Sequence, residues 1–268
     1  MLDKNGVIMR FLSSLFILLA LSVSTYSVAN TSEHTSDAKK TLTITLVKQG
    51  VELNYSQPVR LSQVAVDANT QADFYNLGVV LGDKNKQKNS EDLRNNVIDS
   101  LSSLSRETSL FSSKNKYDKS ATQLSLQLEQ EAFVNRIFTS FDLDLLRIND
   151  KVNPLLSGNY QLFLGARPTN VSFFGAIDSE KSIQLPLIEH AIIDDYLENL
   201  PLSPVAETSI IYVIQPNGEV QHTEFSVWQN NPVHLAPGAI VFIPFADLPA
   251  DYSSLNDSIV QLLRNKAF

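Results

Sequence analysis

Ile211-Tyr212-Val213-Ile214-Gln215 runs into Pro216-Asn217-Gly218, and Val220 to Phe225 follows. Two apolar runs flanking a tight-turn tripeptide read as a hairpin. Downstream, Pro237-Gly238 opens another run, Ala239-Ile240-Val241-Phe242-Ile243, which Pro244 closes. Upstream, Tyr160, Leu162 and Leu164 alternate, and Val171 to Ile177 reads as a strand. Ile188 to Asn199 carries Ile188, Ala191, Ile192 and Tyr196 at helical spacing. Leu255, Ile259, Leu262 and Leu263 then set the apolar face of a last helix, capped by Ser253 or Ser254. At about three turns it is too short to cross a bilayer. These readings define a small α+β domain over 158–250, closed by an amphipathic helix over 251–268 that packs back on it.

The first half opens in a related way. Leu42, Ile44 and Leu46 alternate with threonines, Gln49-Gly50 breaks the run, and Val51 to Tyr55 resumes it, which makes a hairpin. Leu61 to Ala68 follows as a short helix. Leu93, Val97, Leu101 and Leu104 mark a longer helix that starts at Ser90-Glu91-Asp92. A polar connector from Ser105 to Ser120 reads as mobile, and Leu124, Leu128 and Ala132, with Phe133 and Ile137, form a second apolar stripe. A first domain therefore covers 41–157, with a helical hairpin inserted at about 90–140. Apolar period alone makes both stripes ordinary core.

The amino terminus is a separate signal. Lys4 and Arg10 precede an apolar stretch from Phe11 to Val23, and Ser27-Val28-Ala29 offers the small residues that a signal peptidase reads. A signal peptide over 1–29, cut between Ala29 and Asn30, is expected, with Met1 or Met9 as the start. A retained anchor is the competing reading. Residues 30–40 read as a disordered leader. The chain has no Cys, so neither a lipid anchor nor a disulfide is available. Removing residues 1–29 leaves 19 basic against 28 acidic side chains, a net charge of -9 in place of -8. That balance argues against nucleic acid and against an anionic glycan held by charge alone, while leaving room for a local basic cleft.

The order of elements, ending on Ile-Val-Phe-Ile-Pro, resembles the β-grasp modules of polysaccharide export proteins. The whole tail, with its short helix, resembles the GfcC (YjbG-like) family of capsule and exopolysaccharide biosynthesis proteins. Asn153-Pro154-Leu155-Leu156-Ser157-Gly158-Asn159-Tyr160 is similar to that family's lead-in to its second domain. The resemblance implies an α+β chain of two β-grasp-like domains. It also implies a periplasmic accessory role in assembly or export, acting by binding. The partners implied are the polysaccharide itself, outer-membrane export proteins, or both.

Catalytic and metal motifs do not emerge: there is no His-Glu-x-x-His, no Gly-x-Ser-x-Gly and no phosphate loop, and the four histidines are scattered. No cofactor or metal is expected. One segment stands apart, Arg136 followed by Phe141-Asp142-Leu143-Asp144-Leu145-Leu146-Arg147. Read as a strand, it points Asp142 and Asp144 to one side, about 6–7 Å apart, and Arg147 to the leucine side. An arginine among apolar neighbours is buried only when its fork is paired, so a structural salt bridge to Asp142 or Asp144 is one reading. A cleft arginine binding a sugar hydroxyl or carboxylate is the other. The GfcC family has a similar Arg before Leu-Asp-x-Asp, which singles out Arg136, Asp142 and Asp144. The family resemblance and the stacking chemistry of indole add Trp228. A glycan-modifying enzyme using Asp142, Asp144 and Arg136 is the alternative from another class.

Overall fold

A computed structural model describes residues 41–107, 115–224 and 233–267. The expected signal peptide, the leader, part of the polar connector and Trp228 lie outside the described residues. In chain order, the first half holds β1 (Leu42–Leu46), β2 (Val51–Tyr55), β3 (Val59–Arg60), α1 (Leu61–Asn69), β4 (Val80–Asp83), α2 (Gln87–Arg106), α3 (Asp118–Glu129), β5 (Arg136–Ile137), α4 (Leu143–Ile148), β6 (Leu155–Leu156) and β7 (Gly158–Phe163). The second half holds β8 (Asn170–Gly175), β9 (Ile183–Pro186), α5 (Ile193–Leu197), β10 (Ile210–Ile214), β11 (Val220–Glu224), β12 (Ile240–Ile243) and α6 (Leu255–Arg264). The fold is mixed α+β, and no helix among the described residues is long and apolar enough to cross a membrane.

Two five-stranded sheets repeat one topology. The first has the order β2-β1-β7-β4-β5 and the second β11-β10-β12-β8-β9. In each, the first and last strands (β1 with β7, β8 with β12) form a central parallel pair, and the other pairings are antiparallel. β7, expected from its sequence position to open the second domain, instead pairs with β1 and β4 in the first sheet.

The core explains the sequence patterns. β1 alternates because only one of its faces is buried, against α1 and α4. β12 is apolar at every position because both faces of the second sheet are covered. Val241 and Ile243 pack with Ile193, Tyr196 and Leu200, whereas Ile240 and Phe242 pack with α2, α3 and α6. So α2 and α3, which lie between two strands of the first sheet in sequence, roof the second sheet.

Three expected elements are corrected. The helix over 188–199 shrinks to Ile193–Leu197, because His190 takes φ 65° and Tyr196 Oη accepts from the Ile188 N–H at 2.8 Å, holding the approach as a turn. The helix of the second apolar stripe ends at Glu129, so Ala132, Phe133 and Ile137 lie beyond it, as does Arg136 on β5. The chain after it is drawn out extended, with Val134 N–H donating to the Asn265 carbonyl and Ile137 pairing with Leu81 in the sheet. The Asp142–Arg147 stretch is a helix, not a strand. Asp142 Oδ1 accepts from the backbone N–H of Asp144 at 2.9 Å and of Leu145 at 3.1 Å, an N-cap that favours the turn over the extended form.

Candidate functional site

Arg136 sits on β5 with only 7% of its surface exposed. Its Nη2 donates to the Pro216 carbonyl at 2.5 Å and to that of Val79 at 3.3 Å, and Nη1 donates to the Arg264 carbonyl at 3.3 Å. Asn265 Oδ1 accepts from its backbone N–H at 3.2 Å. The guanidinium thus ties the loop before β4, the β10–β11 turn and the end of α6 to β5. Its acceptors are carbonyl oxygens, so Arg136 makes no salt bridge to Asp142 or Asp144; the pair that forms there is Arg147 with Asp144. Burial first, and then the nearby Arg264 charge, pull the Arg136 pKa down to about 10.

Phe138, two residues along, carries this junction to the surface. Arg136 Cζ lies 5.5 Å and Arg264 Cζ 4.3 Å from the centre of its ring. Gly218, at φ 84°, lets the β10–β11 turn press on the same ring, and a Cβ there would overlap it. Arg264 Nε donates to the Gly218 carbonyl at 2.9 Å, which fastens the turn to α6.

A cleft of about 840 Å3 opens beside that ring. Phe74, Tyr75, Asn76 and Leu77 from the loop before β4 form one wall, and Asn217, Gly218 and Glu219 of the β10–β11 turn form another, with Arg264. Phe138, Thr139 and Ser140, then Asp142 and Leu145 of α4, complete it. The size falls in the range of about 300–1,000 Å3 that accepts a drug-sized ligand. Three aromatic rings among amide, hydroxyl and charged groups suit a sugar, whose ring faces are apolar and whose edges carry hydroxyls.

The sequence-derived candidates separate accordingly. Asp142 lines the cleft, and Arg136 lies beneath its Phe138 wall. Asp144 and Arg147 are not among its lining residues and pair with each other at 3.6 Å, with side chains 93% and 62% exposed. The expectation that Arg147 is buried on the leucine side fails because the segment is helical. Phe74, Tyr75, Phe138 and Arg264 were missed as site residues. The only short-range signal for them is the position of Gly218 in a turn that needs positive φ. No cluster of metal-ligating side chains occurs among the described residues.

Comparison with known proteins gives two family matches. "Capsule biosynthesis GfcC, N-terminal" matches residues 38–167 and "Capsule biosynthesis GfcC C-terminal" matches 181–267. The chain is also 28% identical over 142 residues to the uncharacterized protein YjbG of Escherichia coli strain K12, a match spanning 52% of this chain and 57% of that relative.

Proposed function

Because the chain belongs to the GfcC family of capsule biosynthesis proteins, we propose that it is a periplasmic accessory of capsule or exopolysaccharide assembly or export that binds glycan without cleaving it. The observation that carries this reading is the aromatic-walled cleft between the two sheets. The shared strand order, with a central parallel pair in each sheet, supports reading both units as β-grasp domains, the first with α2 and α3 inserted. Docking beside an outer-membrane exporter is part of the same proposal.

The enzymatic alternative draws little support from the three residues it needs. Asp142 caps a helix, Asp144 does not line the cleft and pairs with Arg147, and the Arg136 guanidinium is spent on carbonyls. A hydrolase sets two carboxylates across the scissile bond.

The test is calorimetric titration of the mature chain with the host's extracellular polysaccharide, with chromatography of the glycan afterwards. Saturable binding with unchanged glycan length is expected. Phe138→Ala should abolish binding, and Asn76→Ala, at an exposed position that spares the fold, should weaken it. Shortened glycan would promote the enzyme. No binding with no change would leave a protein adaptor, to be pursued by pull-down. Processing is checked separately: the periplasmic form should begin at Asn30.

A further inference from the structure

Two guanidiniums share the Phe138 wall, and neither has a carboxylate within ion-pair distance among the described residues. Arg136 donates to three carbonyls. Arg264 donates through Nε to the Gly218 carbonyl and through Nη1 to Gln261 Oε1, both at 2.9 Å. Acids are not scarce in a chain with 29 Asp and Glu against 21 Lys and Arg. Yet the fold holds two like charges beside one ring with only neutral partners. Desolvated charge without a counter-ion is costly, and like charges side by side raise that cost. Arg136 is buried and Arg264 half-buried, so the Arg136 charge in particular is screened far less than an exposed one.

We propose that the cleft selects an anionic sugar, one bearing a carboxylate or phosphate substituent, which docks on the Arg264 guanidinium with the charge of Arg136 behind it. This rests on the glycan-binding reading of the same cleft. Arg264 lines the cleft and, among the described residues, commits Nε and Nη1 to hydrogen bonds, which leaves Nη2 open to solvent or to a ligand. Arginine suits the task because its planar fork meets carboxylate and phosphate oxygens directly. Asp142 and Glu219 also line the cleft and oppose an anion. Both are exposed, hence well screened, and Asp142 Oδ1 already accepts two helix N–H groups. They confine the anion to the Phe138 wall. The net charge of -8 is therefore no bar to an acidic glycan, because two guanidiniums meet at this wall.

The experiment uses oligosaccharides from partial acid hydrolysis of the host's extracellular polysaccharide, split by anion exchange into anionic and uncharged pools. Each is titrated calorimetrically into the mature chain at low and high salt. The anionic pool should bind more tightly, and its affinity should fall as salt rises. Arg264→Gln should weaken that pool by roughly ten- to a hundred-fold, the worth of one charge-assisted hydrogen bond, and should weaken the uncharged pool clearly less, through the lost Phe138 and Gly218 contacts alone. Arg264→Lys should keep the salt dependence, and thermal midpoints establish that both variants fold. Carboxyl reduction of the anionic pool tells the sources apart: lost binding assigns a uronate, retained binding a phosphate. Equal or tighter binding of the uncharged pool, a polysaccharide that yields no anionic pool, or an Arg264→Gln that weakens both pools alike would overturn the proposal and leave glycan binding intact. If neither pool binds, the glycan-binding reading itself falls, and this inference with it.

Discussion

Arg136 is held by carbonyls that lie 57, 80 and 128 residues away along the chain. Arg136→Ala removes all of those donors at once. A buried acceptor left unpaired costs about 1–3 kcal/mol, so a loss on the order of 3 kcal/mol is expected in urea unfolding. Its effect on binding would follow from the displaced Phe138 wall, whereas Arg264 lines the cleft itself and therefore carries the ligand test. Gly218→Ala acts on the same wall from the other side. It strains a backbone at φ 84° and drives a Cβ into the Phe138 ring. Lower stability and weakened glycan binding should appear together, both measurable on one purified variant. Sequence reading singled out Arg136 and Gly218, the first by resemblance and the second as a turn residue. That they meet at Phe138 was not legible, because nothing within a few residues of either position encodes the other.

At the scale of elements, α4 decides the role of the acidic pair. Asp142→Ala should cost about 1 kcal/mol as a lost N-cap and Asp142→Asn only a few tenths, since Asn caps as well. Asp144→Ala, at an exposed pair, should stay within about 0.5 kcal/mol. Urea midpoints of the three variants check the order. A six-residue segment with apolar residues at 143, 145, 146 and 148 fits a strand and a helix alike, and the cap settles it. The tie between β2 and α1 makes a pH prediction. The Tyr55 hydroxyl donates to Asp67 Oδ2 at 2.7 Å, and burial, then that bond and charge, raise its pKa above the ordinary 10.0. Below pH 10 the contribution is fully present. Above it the unfolded chain loses the proton while the folded chain keeps it, so stability falls as pH rises. Tyr55→Phe should be less stable at pH 8 and show a shallower alkaline decline in thermal midpoint.

In the whole molecule the two sheets are not independent, because α2 and α3 leave the first and roof the second while α6 packs beside them. Leu124→Ala on α3 should cost roughly 2–5 kcal/mol as a buried cavity. It should also lower one transition common to both sheets, read by hydrogen exchange in β1 and β12 together; separate transitions would show two autonomous domains. The sequence by itself determined the two opening hairpin and turn signals, the long helix over Leu93–Leu104, the amphipathic closing helix and the α+β class. Each rests on a periodicity or turn chemistry that acts over a few residues, and those forces are the same in any context. Tertiary structure alone decided that β7 belongs to the first sheet, that α2 and α3 roof the second, and that four distant segments enclose one cleft. Strand order and burial on a second face are settled by which surfaces exclude water from one another, a choice made between elements and written in none of them.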